Sequence, residues 1–205
     1  MSSEASRPFP ARIAIFASGG GSNAASIMDH FADNPHAEVV LIVTNKATAG
    51  VILKGHQRSV PVLVLRKGQI QNRAFMLGQL EHFQVDLIAL AGFLLLIPSF
   101  LVQAYPQRIV NIHPALLPKF GGKGMYGMHV HEAVKAAGET ESGPTVHYVN
   151  EQYDEGAIIA QERVVLDPED TAEEIAAKVL AVEHRLYPRV IESLVSGLKR
   201  SNVKH

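Results

Sequence analysis

The sequence predicts an α/β fold: a Rossmann-like, doubly wound, mostly parallel sheet with a long C-terminal helix. Three observations predict it. Strand-like and helix-like stretches alternate through the first half of the chain. The strand-like runs, such as EVVLIVT and DLIALA, are continuously apolar rather than alternating, as strands covered on both faces should be. A glycine break at Gly19, Gly20 and Gly21 parts the first strand from the first helix, the place where such folds hold ligands.

The elements follow in order. Residues 12–17 (RIAIFA) read as the first strand, and Ser22 opens a helix with Ile27, Met28 and Phe31 on one face. Residues 38–44 form the second strand, 51–58 a helix, and 61–65 (PVLVL) the third strand. Phe75, Met76, Leu80 and Phe83 recur at helical spacing within residues 72–83, and 86–91 (DLIALA) form the fourth strand. The second half reads differently. Residues 108–112 (RIVNI) make a short strand running into His113 and Pro114. Residues 145–149 (TVHYV) make another, with Thr145, His147 and Val149 facing one way, and 158–165 (IIAQERVV) read as its hairpin partner. A long helix starts near Ala172, where Thr171 and Glu174 form a capping box. Ile175, Val179, Val182, Leu186 and Val190 are its buried stripe, and Pro188 is expected to kink or break it. The chain reads as one domain over residues 1–198, with 1–11 an N-terminal extension and 199–205 a disordered tail.

Composition removes several classes of function. The formal net charge of −1 gives no field to draw nucleic acid or an anionic membrane, and there is no Trp for stacking single strands. Without cysteine there are no disulfides, no thiolate catalysis and no Cys-type zinc site. The start, MSSEASRPFP, lacks the pattern of a signal peptide. The longest apolar run, LIALAGFLLLIP, is too short for a span, which needs about 20 residues. A cytoplasmic enzyme is the expectation.

Gly19, Gly21 and Ala24 fit a G-x-G-x-x-A pattern, yet the second strand ends Val43-Thr44-Asn45 without the acid that would bind a ribose of a dinucleotide. A nicotinamide cofactor is therefore disfavoured. The loop still suits an anion, because glycines admit backbone N–H groups to a ligand and a helix start adds positive dipole. A monophosphate held by Gly21, Ser22 and Asn23 is the favoured reading; the plainer one is a tight turn with Ser22 as N-cap.

Strand alternation points Asn111 and His113 into one space. Asn can donate to a developing oxyanion, and His can donate or carry a proton near neutral pH. From spacing alone, two polar residues satisfied by loop backbone fit as well. Asp154, in a turn between the two late strands, could hold one tautomer of His113, or be an ordinary turn residue.

Taken together, these residues resemble the folate-dependent formyltransferases. Residues 111–118 (NIHPALLP) resemble the N-I-H-P-S-L-L-P motif, and residues 143–149 followed by Asp154-Glu155-Gly156 and Ile158-Ile159 resemble the second signature. Residues 18–23, Ala91-Gly92-Phe93, and Glu183-His184 with Tyr187-Pro188 fit the same pattern, so the likeness runs from about Arg12 to Val195. The resemblance implies transfer of the formyl group of 10-formyltetrahydrofolate, a co-substrate, to the amine of glycinamide ribonucleotide in purine synthesis. It implies that Asn111 and His113 hold the formyl oxygen, and that Asp154 orients His113 and helps move the proton. By the same resemblance Gly21, Ser22 and Asn23 hold the phosphate, Glu183 the ribose hydroxyls, and Leu94, Leu95, Leu96, Ile97, Asn150 and Tyr153 line the folate pocket. Partners are thus small molecules, with no metal, nucleic acid or membrane, for a monomer or homodimer.

Two departures stand out. Many relatives have Met-Arg where Leu94-Leu95 stand here, which puts side-chain contacts to the folate tail in doubt. Residues 121–127 (GGKGMYG) form a longer, glycine-rich loop, read as a mobile flap or else a solvated insertion. Rival readings are a metal enzyme using His129, His131 and Glu132, a formylfolate deformylase whose acceptor is water, a tRNA-directed formyltransferase, and a nucleotide-sensing module without catalysis. The deformylases usually carry an extra N-terminal domain and the tRNA enzymes an extra C-terminal one, and neither is expected here.

Overall fold

The computed structural model describes residues 10–198. The elements are β1 (Ala11–Phe16), α1 (Ser22–His30), β2 (Ala37–Thr44), α2 (Val51–Gln57), β3 (Val62–Val64), α3 (Arg73–His82), β4 (Leu87–Leu90), α4 (Ser99–Ala104), β5 (Ile109–His113), α5 (Met128–Ala136), β6 (Glu141–Ser142), β7 (Thr145–Tyr148), β8 (Ile158–Gln161), β9 (Val164–Val165) and α6 (Ala172–Gly197). A seven-stranded sheet runs in the order β3-β2-β1-β4-β5-β7-β8. Strands β1 to β5 pair in parallel, and β7 and β8 join antiparallel, so the sheet is mostly parallel as expected.

The apolar runs are continuous because both faces of the sheet are covered. Ile13, Ile15, Leu87, Ala89, Val110 and Ile112 pack on one side with Ile27 of α1 and Tyr187, Ile191 and Val195 of α6. Their alternates, Ala14, Phe16, Ile88, Leu90 and Ile109, pack on the other with Met76 and Leu80 of α3 and Leu101 of α4. Fully burying one such large side chain stabilises by about 1.5–3 kcal/mol, so neither face could be stripped without loss of the sheet.

Several expectations are corrected. β1 starts at Ala11, inside the stretch assigned to an N-terminal extension, and β5 includes His113. The expected tail at 199–205, like residues 1–9, lies outside the described residues. Residues 158–165 are not one strand. β8 ends at Gln161, and β9 pairs instead with β6 in a separate two-stranded sheet. At the break the chain at Glu162 passes so close to Gly143 that a Cβ there would meet the Glu162 carbonyl oxygen at 1.9 Å. Pro188 does not break α6, which runs 26 residues through it. Proline removes the bond to the carbonyl four residues back, that of His184, and the Ser26 hydroxyl of α1 donates to that oxygen at 2.6 Å instead. The capping box forms as expected: the Glu174 N–H donates to Thr171 Oγ1 and the Thr171 N–H to Glu174 Oε2.

The order of strands fixes where a ligand can sit. After β1 the chain winds outward through β2 and β3, then crosses back to β4 and β5 on the other side. A crevice opens where that direction reverses, beyond the carboxyl ends of β1 and β4.

Candidate active site

Three loops meet at this crevice. The Ser18 hydroxyl, at the end of β1, donates to Asn45 Oδ1 after β2 (2.5 Å) and accepts from the Leu94 N–H after β4 (2.9 Å). A cavity of about 750 Å³ opens there, and every site residue expected from the sequence lines it: Gly21, Ser22 and Asn23; Leu94, Leu95, Leu96 and Ile97; Asn111 and His113; Asn150, Tyr153 and Asp154; and Glu183.

At one end lies the start of α1. Its N-cap is Gly21, not Ser22, and no side chain caps it. Gly21 has φ 72, and an added Cβ would lie 2.7 Å from the Val51 side chain, so both backbone and space demand glycine. The uncapped N–H groups and helix dipole make this end receptive to an anion. Asn23 Nδ2 donates to Glu183 Oε2 at 2.6 Å, while Asn23 Oδ1 is buried without a partner. Burial pushes the Glu183 carboxyl up to about 7, against the pull of the Asn23 bond. Glu183 is held in place one helical turn before Tyr187, whose buried hydroxyl lies 2.9 Å from the Leu90 carbonyl and 3.0 Å from that of Val110.

At the other end Asp154 stands between two imidazoles. Its Oδ2 lies 3.5 Å from His113 Nδ1, and its Oδ1 lies 3.5 Å from His147 Nε2. The Gly122 N–H donates to Oδ2 at 3.0 Å. Burial raises the Asp154 carboxyl, but His147, His113 and the Gly122 N–H together outweigh it and hold the group below the usual carboxylate range. The carboxylate is therefore ionised at neutral pH. Burial holds the His113 ring below the usual imidazole range, with Asp154 and the Phe120 carbonyl pulling upward. His113 Nε2 lies 2.7 Å from that carbonyl oxygen, which can only accept, so Nε2 carries a proton and Nδ1 faces Asp154. Residues 121–127 are thus tied into the site through Gly122 rather than standing apart as a solvated insertion.

His147 was not among the residues singled out from the sequence as part of the site. It sits directly opposite Asn111 in the antiparallel register of β5 and β7. His147 Nδ1 lies 2.8 Å from the Tyr148 carbonyl oxygen, so the proton is on Nδ1 and Nε2 accepts from Asn111 Nδ2 at 3.1 Å. The second amide hydrogen of Asn111 reaches Asp154 Oδ1 at 3.4 Å. The signal was present in the alternation of TVHYV, but it placed His147 on a face without saying which strand lay beside it.

The candidate metal ligands do not converge. His129 is exposed and His131 buried, two positions apart on α5 and so on different sides of it. Among the described residues no group of three His, Cys, Asp or Glu side chains is placed to share an ion, and no helix is long and apolar enough to cross a membrane.

Comparison with known proteins identifies the family. Residues 11–191 match the family model described as formyl transferase. The chain is 46% identical over 189 residues to the chloroplastic phosphoribosylglycinamide formyltransferase of Arabidopsis thaliana, covering 89% of this chain and 65% of that protein's length. It is 39% identical over 198 residues to the phosphoribosylglycinamide formyltransferase of Bacillus subtilis, covering 94% of this chain and 98% of the relative. Its fold superposes on the crystal structure of glycinamide ribonucleotide transformylase 1 from Symbiobacterium toebii with a TM-score of 0.85 and 30% identity, covering 96% of this chain and 93% of that one.

Proposed function

The chain belongs to the formyl transferase family, and from that membership we propose that it moves the formyl group of 10-formyltetrahydrofolate to the amine of glycinamide ribonucleotide, a step of purine biosynthesis. One observation carries this reading: an uncapped helix start and an ionised Asp154 flanked by His113 and His147 line the same cavity. The first suits a phosphate and the second a proton-coupled acyl transfer.

The residues divide the work as follows. The phosphate lies on the N–H groups of Gly21, Ser22 and Asn23, and the ribose hydroxyls face Glu183 and the unpartnered Asn23 Oδ1. Leu94, Leu95, Leu96, Ile97, Asn150 and Tyr153 receive the folate; the three leucines and Tyr153 are exposed apolar side chains suited to its aromatic rings. The neutral amine attacks the formyl carbon, and the carbonyl electron pair moves to oxygen. Asn111 gives up its longer bond, to Asp154, and donates to that oxyanion, and the His113 Nε2–H leaves the Phe120 carbonyl to donate beside it. One such donor is typically worth about 3–4 kcal/mol of barrier. Asp154 accepts the proton lost by the amine and returns it to the leaving folate nitrogen as the tetrahedral adduct collapses, so no net proton is consumed. Holding both reactants in one cavity supplies much of the remaining rate. We place the enzyme in the cytoplasm, acting on small molecules as a monomer or homodimer.

The test is acceptor-dependent turnover. With 10-formyltetrahydrofolate and glycinamide ribonucleotide, formylated ribonucleotide should form in step with tetrahydrofolate, and omitting the acceptor should stop both. Equal loss of formylfolate without acceptor would show water to be the acceptor and would overturn the reading.

A further inference from the structure

One imidazole in the cavity wall has no part in the scheme above. His131, on α5, lines the cavity, is 6% exposed, and has a buried Nδ1 without a partner. Its ring accepts and donates no hydrogen bond among the described residues. His113 and His147, by contrast, each face a partner from both ring nitrogens. His184 also has an unpartnered ring nitrogen, but it does not line the cavity. With Nδ1 closed off, Nε2 is the ring nitrogen left to meet a ligand in the cavity, and it too has no hydrogen-bond partner among the described residues. His131, with Val130 and Val134, is one of the buried residues of α5. α5 follows directly on residues 122–127, whose Gly122 N–H is bonded to Asp154, and these residues and His131 line the same cavity as His113, which puts the ring toward its reacting end.

We propose that His131 is a substrate-contacting residue whose ring donates a hydrogen bond to a carbonyl oxygen at the reacting end of the cavity. A neutral imidazole carries its proton on one nitrogen. Nδ1 is shut away with no acceptor in reach, so the proton belongs on Nε2, and His131 meets its ligand as a donor. A carbonyl oxygen is the acceptor both substrates bring there, as the formyl group of the donor or the glycyl carbonyl of the ribonucleotide. The inference rests on the transfer reaction proposed above.

Imidazole ¹⁵N resonances of the wild-type protein, labelled at histidine, test it directly. The Nε2 signal of His131 should move on adding one substrate alone, and which one moves it identifies the oxygen. In kinetics, His131→Leu should lower kcat/KM at least about tenfold, and His131→Gln, which keeps a donor, should recover part of the loss. A His131 signal unmoved by either substrate, in a protein that does formylate glycinamide ribonucleotide, would overturn this inference alone. Absence of that formylation would overturn the transfer reading with it. If His131→Leu does not fold, the wild-type resonances decide the matter.

Discussion

At neutral pH the carboxyl of Glu183, pushed up to about 7 by burial, is divided between its neutral and ionised forms. The ionised form is the better acceptor for ribose hydroxyls, but the folded protein holds it at a cost. The sign follows from linkage. The folded state keeps a proton that the unfolded state, with a value of 4.5, has already released. Stability from this group is therefore fully present below about 4.5 and is lost as pH rises through about 7. The full change is on the order of 3 kcal/mol. Urea unfolding of Glu183→Gln should show a flatter pH dependence over that window and greater stability at pH 8 than the parent, with weaker binding of the ribonucleotide. A variant whose stability profile parallels the parent would show that burial of Glu183 does not exact this cost.

Elements decide which of these side chains reach the cavity. α1 begins where Gly21 adopts its left-handed conformation against Val51. Gly21→Ala should cost about 1–2 kcal/mol from the backbone alone. It should also weaken the ribonucleotide more than the folate, checked by thermal melting and by calorimetric binding of each substrate. β1 to β5 were legible in the sequence because their apolar runs are long and uninterrupted, and α6 because Thr171 and Glu174 mark its start. Misreadings came from partners far along the chain. IIAQERVV contains no glycine or proline to announce a break; the break falls where the chain leaves β7 and pairs with β6 instead. Pro188 alone argues for an interrupted helix, and only Ser26, on another helix, shows how the freed carbonyl is satisfied. His147 could not be assigned to the site until β7 was known to lie beside β5.

In the molecule as a whole, function follows from where the strand order turns back on itself. The glycine loop after β1, the leucine-rich loop after β4 and the Asn111–His113 pair at the end of β5 share one crevice because β1, β4 and β5 are neighbours. That much follows from a parallel sheet. The contribution of β7 does not: only its antiparallel pairing with β5 brings the following turn, and Asp154 with it, back over His113. Catalysis therefore depends most on Asp154 as the proton-transferring group of the proposed reaction. Pre-steady-state and steady-state kinetics of Asp154→Asn, beside equilibrium binding of each substrate, measure this most directly. kcat should fall roughly 10²–10⁴-fold, with both dissociation constants and the melting temperature little changed. Turnover within a few fold of the parent protein would contradict that role.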